Sequence, residues 1–448
     1  MNKFICILCC CVVYVSEAQT LSYEDLGVLF SGEEINGTAR YRAMSGAFGA
    51  LGGDLSAIDV NPAGAAVFNH SETALSLHVR DLEIGGHYYG NTDLVENGKV
   101  DADQLGGVIV LKNNRQDRAG WQKLSLAFNY SKVRDFDREW LVHGVSGYAP
   151  VTDLYDTDRL YANTEGQEFE NLEKGHNSRY SFTVASQRND QLYVGFSVNT
   201  YEVDFYQRTL IHEYNNDGNG NTLDISQKQE LNTLGEGLSF SFGLLAKPFK
   251  SLRLGLAYQS PIWYQLSEEF VEFEDSVYES NDALGLRAGY SGISAFDYKL
   301  STPAKMTASL ALVFGKAGLI SADYSYQNYS NIKLGGTSFS QENLGFKNNL
   351  EAVAALRLGT EWRIENLSLR GGYHIENSPY KEAWESDDSE TFSLGAGYGF
   401  RGGRFDIAYQ QRKSTAPYQI YGSLSNAVEA AELDFDLSTF TATLVFNL

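Results

Sequence analysis

The chain has 448 residues with 57 acidic against 35 basic side chains, a formal net charge of −22, which excludes a nucleic-acid partner because phosphate binding needs clustered Lys and Arg. Its 28 Tyr and 25 Phe favour strands over helices. All four cysteines, Cys6, Cys9, Cys10 and Cys11, lie near the start, so the remainder has no disulfide framework to rely on.

Residues 1–18 carry Lys3, an apolar run from Phe4 to Val15 and a small-x-small site at Ser16-Glu17-Ala18, the pattern of a secretory signal peptide cut before Gln19. A lipid anchor would need a small residue just before a cysteine, and Leu8-Cys9 and Cys9-Cys10 supply that poorly. Residues 19–69 show no strand period. "LSYEDLGVLFSGEEI" reads as a short helix, and "RYRAMSGAFGALGGDLSAIDVNPAG" follows with Gly46, Gly49, Gly52 and Gly53. Neither G-x-G-x-x-G nor G-x-x-x-x-G-K-[ST] is present, which argues against a nucleotide loop.

From residue 70 the period is two. In "WQKLSLAFNY" Leu124, Leu126, Phe128 and Tyr130 oppose Lys123, Ser125, Ala127 and Asn129, and the end of the chain sets Phe440, Ala442, Leu444 and Phe446 against Thr439, Thr441 and Thr443. The pattern predicts strands near 70–90, 103–112, 121–133, 179–188, 191–206, 236–247, 251–265, 304–314, 317–329, 350–363, 366–377, 390–401, 403–413 and 436–448. The first holds Gly85-Gly86 and reads either as one bent strand or as two. Connections alternate: long at 91–102, 134–178, 207–235, 266–303, 330–349, 378–389 and 414–435, short at "RND", "PFK", "GK" and "GG". A soluble sandwich also alternates apolar and polar residues, but its strands are short, and it has no reason to sort its loops by side. Strands of about ten residues with short turns at one end and long loops at the other predict an all-β fold, a transmembrane antiparallel β-barrel of about fourteen strands.

A lumen of that size holds a folded segment. The domain reading is therefore signal peptide 1–18, an N-terminal periplasmic-side hatch 19–69 inside the lumen, and a barrel 70–448 with long extracellular loops.

"GAFGALGGDLSAIDVNPAG", with a signal peptide before it and the strands after it, resembles the FadL/TodX family of outer-membrane transporters for hydrophobic compounds, and "STPAKMTASLALVFGKAGLISADYSYQ" is similar to a later strand pair. The resemblance implies a hatch formed around Gly49, Gly52, Gly53, Asn61, Pro62, Ala63 and Gly64, and long-chain fatty acids or similar apolar molecules as cargo. It also implies a kinked strand that opens the wall sideways. Two departures stand out: the chain ends on Leu448 rather than an aromatic residue, and strand 121–133 has no glycine to mark the kink.

Apolar side chains in the two longest loops are the candidate ligand contacts, or else the loops' own core: Phe136, Trp140, Leu141 and Tyr148 in one, Phe270, Phe273 and Phe296 in the other. Arg357 and Arg370, on the inward face, are candidates to hold a carboxylate headgroup or to join ion networks in the wall. "NNDGNGNTLD" loosely matches a calcium loop, but Asn215 stands first and Ser226 replaces the expected Glu, so a turn explains it as well. No catalytic motif, metal-ligand cluster or cofactor fingerprint is found, and no enzyme is expected. The partners expected are outer-membrane lipid and a hydrophobic small molecule, with a monomer as the working unit. The alternative is a barrel of this family that serves secretion or surface assembly and grips protein with its apolar loops.

Overall fold

The computed structural model describes residues 20–112, 120–149, 159–280, 283–383, 387–421 and 427–448, without the side chains of 276–291; the signal peptide expected at 1–18 lies outside the described residues. Fourteen antiparallel strands among them close into one barrel. They are β1 (Glu72–Tyr88), β2 (Asn91–Lys112), β3 (Trp121–Asp135, continued as Arg138–Gly144), β4 (Asn163–Arg188), β5 (Leu192–Asn216), β6 (Thr222–Phe249), β7 (Leu252–Gln259, continued as Trp263–Ser280), β8 (Ala283–Ser301, continued as Lys305–Val313) and β9 (Gly318–Asn328). β10 (Ala352–Ile364), β11 (Leu367–Glu376), β12 (Ser389–Phe400), β13 (Gly403–Tyr418) and β14 (Ala431–Asn447) complete it. β1 closes the ring on β14 from Glu72↔Asn447 to His87↔Glu432, so no strand edge faces lipid there.

A band of outward apolar residues runs round the barrel between two aromatic girdles. Trp121, Phe249, Phe314, Trp362, Phe400 and Phe446 ring the short-turn end, and Phe314 stacks on Trp362 with centroids 5.8 Å apart. Tyr130 and Tyr180, 5.3 Å apart, with Trp263, Tyr326 and Tyr373, ring the other end. Amphipathic rings favour the headgroup level, so the two girdles mark the bilayer faces.

The predicted strands agree with those found at the short-turn end and fall short at the other. The expected loop 91–102 is strand, joined to β1 by a tight turn in which Tyr89 and Gly90 both take positive φ, 44° and 85°. Much of 163–178, 207–216 and 222–235 is likewise strand, and β7 and β8 extend through most of 266–303. Gly85-Gly86 lies within a single β1 strand. The calcium-like stretch is the β5–β6 turn, where the Asp217 carboxylate accepts from the N–H groups of Asn219 and Asn221.

Above the girdle the apolar face turns inward. Leu75, Leu77 and Val79 of β1 face out, whereas Leu82 and Ile84 face in and are buried. Water outside and a packed interior reverse the polarity that lipid imposes below.

Leu256, on β7 midway between Phe249 and Trp263, is 49% exposed on the outer face. Leu256→Arg is expected to destabilise the barrel in lipid vesicles by about 2–4 kcal/mol, measured by denaturant unfolding. Unchanged stability would mean that this face does not contact lipid.

Candidate functional site

The lumen is filled in three tiers by residues 20–68. At the short-turn end, α2 (Ala39–Arg42), α3 (Ala57–Val60) and the 3-10 turn Pro62–Val67 form a compact knot. The Asn61 side chain organises it. Its amide donates to the Gly49 carbonyl at 2.7 Å and to Leu244 of β6 at 3.0 Å, and its oxygen accepts from the Ala63 N–H at 3.1 Å. Pro62 takes the first helical position, where no N–H is needed. Gly52 (φ +60°) packs on Gly64, where a Cβ would come within 2.7 Å of the Gly64 Cα, and the neighbouring Gly53 N–H donates to the Gly64 carbonyl. Gly49 donates to Asp323 of β9 at 2.8 Å. All seven hatch residues expected from the sequence are therefore brought together.

What the sequence did not reveal is the socket. On six strands a glycine stands where the knot's backbone meets the wall: Gly195 against Pro62, Gly243 against Asn61, Gly255 against Gly49, Gly359 and Gly372 against Met44, and Gly395 against Ala43. A Cβ at any of them would drive into hatch atoms. Buried ion pairs complete the seat. Arg40 donates to Glu361 at 2.7 Å, Arg370 bridges Glu361 and Asp406 at 2.7 Å each, and Asp59 pairs with Arg179 at 3.0 Å. Removing one partner of such a pair costs about 3–5 kcal/mol.

The outer tier is apolar. α1 (Tyr23–Ser31), capped by Ser22, buries Leu26, Leu29 and Phe30. Phe30 meets Phe136 and Phe205 with centroids 5.9 and 5.8 Å away, and Tyr23 meets Tyr298 and Phe339 at 5.7 and 5.4 Å. Glu268 accepts from both tyrosine hydroxyls, and Gln207 and Gln229 accept from the backbone at Leu21 and Thr20.

Phe136, Phe270 and Phe296 thus belong to one core with α1. Trp140 is buried in a separate outer core against Phe169 and Tyr418. Leu141 is half-buried beneath β1, where its carbonyl approaches Gly86; Phe273 is half-buried under the Lys228 ammonium; Tyr148 is exposed. Arg370 is committed to Glu361 and Asp406, while Arg357 faces a cavity.

That cavity belongs to the middle tier, where the extended segment Glu33–Asn36 lines two small spaces. Both are lined by charge: Arg80, Lys132, Asp135 and Arg412 in one, Asp59, Arg179, Lys305 and Arg357 in the other. Burial pushes the Glu33 carboxyl up, but Lys305 and Arg179 pull it further the other way, to about 2.

The wall kink that no glycine announced lies in β3. A bulge at Val133 is followed by a break at Phe136-Asp137. The β2–β3 ladder runs from Lys112↔Lys123 to Gln104↔Ser131 and stops at the outer girdle, while the continuation of β3 tucks beneath β1 and β2.

Residues 29–418 match the family described as outer membrane protein transport protein (OMPP1/FadL/TodX). The chain belongs to this family. It consists of Gram-negative outer-membrane barrels that pass hydrophobic compounds without catalysis, so this chain is a transport barrel and not an enzyme. Its short turns accordingly face the periplasm and its extended strand ends the exterior. Among solved structures, a Pseudomonas aeruginosa FadL homologue is 14% identical with TM-score 0.59, covering 93% of this chain and 99% of its own. The toluene transporter TodX of Pseudomonas putida is 16% identical with TM-score 0.59, covering 92% of this chain and 99% of its own. The toluene transporter TbuX of Ralstonia pickettii is 16% identical with TM-score 0.53, covering 94% and 100%. At these identities the likeness shows the fold. No curated protein matches the sequence.

Two outcomes follow from the seat. Gly243→Val is expected to unseat the hatch and raise maleimide labelling of a thiol introduced by Ser56→Cys, now fully buried, by about tenfold or more with the barrel intact. Unchanged labelling would mean that the socket tolerates a side chain. The Glu33 contribution to hatch docking is fully present above its ordinary value of 4.5 and is lost as pH falls toward about 2. Amide exchange over 33–36, corrected for intrinsic rate, should therefore stay level from pH 7 to about pH 5 and rise only below that.

Proposed function

We propose that this chain carries an apolar molecule, of the long-chain fatty acid class or similar, passively from the cell exterior across the outer membrane, with residues 20–68 as its gate. The observation that carries this reading is the outer chamber, whose aromatic walls enclose Leu26, Leu29 and Phe30 of the chain's own helix. An aromatic chamber that holds an apolar helix is suited to an apolar guest of similar cross-section, which gains by leaving water. In this reading cargo enters as α1 withdraws. It is then blocked from below by the hatch seated on the wall glycines and leaves through the side of the barrel where β2 and β3 part. The chain works as a monomer because the lumen of a single barrel contains every tier.

The test is uptake of labelled palmitate, with labelled toluene as a second cargo, by cells lacking their own transporter and expressing this protein. Intact protein should restore uptake of at least one, and Asn61→Ala combined with Gly53→Trp, at matched surface expression, should abolish it. Failure of intact, folded protein to move either would sink the small-molecule reading and leave a protein-gripping role for the outer strands.

A further inference from the structure

The chain enters α1 along a line of buried polar side chains on the inner face of β4 to β7. Tyr23 donates to Glu268 at 2.8 Å, at the level where Thr233 of β6 is in register with Glu268 of β7. Two residues earlier the Leu21 N–H donates to Gln207 of β5 at 2.9 Å, and the Thr20 N–H donates to Gln229 of β6 at 3.1 Å. Gln229 is in register with Glu272, four residues further out along β7 than Glu268. From Tyr23 back to Thr20 the chain therefore climbs toward the exterior, and the next inward-facing level of the ladder is Gln227 with Glu274.

This stretch of wall is polar without being exposed. The Gln229 amide donates to Glu272 and the Gln227 amide to Glu274, each at 2.9 Å, and Glu274 is 7% exposed. Gln207 donates to Asn171 of β4 at 2.7 Å. Thr209 of β5, in register with both Asn171 and Gln229, is fully buried, and its hydroxyl finds no partner among the described residues. Glu268, Glu272 and Glu274 each accept from uncharged donors: Tyr23 and Tyr298, Gln229, and Gln227. Carboxylates withdrawn from water in this way gain from a cation placed beside them.

Cleavage of the signal peptide before Gln19 supplies one. In the precursor the nitrogen of Gln19 is an uncharged peptide amide. Once the Ala18–Gln19 bond is hydrolysed it is an α-ammonium, one residue or about 3.5 Å of chain from the Thr20 N–H that Gln229 holds. We propose that Glu272 and Glu274, with Gln229 and Thr209 beside them, form a receptor for this ammonium, so that removal of the signal peptide pins the start of α1 in the outer chamber. Capture of a free amino terminus is a recurring mode of recognition. The precursor offers the receptor neither the charge nor a chain end, because residues 1–18 with the apolar run Phe4–Val15 are still attached. α1 therefore seats fully only in the processed chain. The assignment rests on the cleavage site and on the side chains of β5 to β7, and is independent of what the barrel carries.

The test uses the full mature chain, purified from outer membranes and placed in lipid nanodiscs. The mass of its first peptide is expected to show Gln19 with a free amino group; a start elsewhere, or a blocked amino group, would overturn the proposal. Glutaminyl cyclase then converts the N-terminal Gln of the unfolded chain to pyroglutamate. The α-nitrogen bonds to the side-chain carbonyl carbon, ammonia leaves, and the positive charge is lost. After refolding, amide exchange in 21–31 is expected to be about 5- to 20-fold faster than in a chain refolded without the enzyme, with 179–188 and 236–245 unchanged. Glu272→Gln with Glu274→Gln should give a similar rise, and cyclising that variant should add little, because both changes remove the same interaction. Equal exchange in the cyclised and free chains, or effects that simply add, refutes the receptor. If the double variant does not fold, Glu272→Gln alone and the cyclised natural chain decide by the same criteria.

Discussion

Backbone hydrogen bonding under lipid is the constraint on which the rest of this molecule depends. No water is available between the girdles to satisfy a free N–H or C=O, so every strand there is paired on both sides, down to the closure of β1 on β14. The constraint lifts where lipid ends. At that level, beside Tyr130, the β2–β3 ladder stops, and polar side chains take over from backbone groups. Ending the ladder lower would expose bare backbone to hydrocarbon.

A closed barrel of this width must also be filled, and two different chemistries do it. The periplasmic tier is a close backbone fit: small residues of the hatch lie against glycines of the wall, and buried Arg–carboxylate pairs prevent sliding. The outer tier is an ordinary apolar core, built from α1 and the inward faces of the extended strands. The first is specific and hard to deform, because a side chain at any of those six glycines would collide with it. The second is non-directional, so a guest able to replace Leu26 and Phe30 need only match them in apolar area. The physical character of each tier fits the part it takes in the proposed cycle, one yielding and one holding.

The bilayer-spanning pattern was legible because lipid imposes one polarity on every strand: Leu124, Leu126 and Phe128 announce β3 as plainly as Phe440 and Leu444 announce β14. Legibility failed where that imposition ends. Leu82 and Ile84 face inward on the same strand whose Leu75 and Leu77 face outward, and the bulge at Asp103 shifts β2 by one residue, so 91–102 lost the expected alternation and read as loop. The hatch residues were found through a resemblance, and their geometry then gave each a physical task. The socket escaped notice because a strand glycine looks the same whether it faces a plug, a bulge or nothing; Gly195 and Gly243 carry no mark of their own. The kink escaped because it is made by Val133 and a change of partner rather than by a glycine.

The middle tier decides between routes in the proposed cycle. In that cycle an apolar cargo descending from the α1 chamber would meet no continuous greasy tube but small spaces walled by Arg80, Lys132, Asp135, Arg179, Lys305 and Arg357. Passing a long hydrocarbon through such a zone would desolvate these charges, a cost that rises with every methylene forced against them. The β2–β3 ladder ends beside one of these spaces, which Lys132 and Asp135 line. In the proposed cycle a downward path would have to cross that charged tier and then displace the glycine-seated hatch, so the tier and the hatch together oppose passage of an apolar solute straight through to the periplasm.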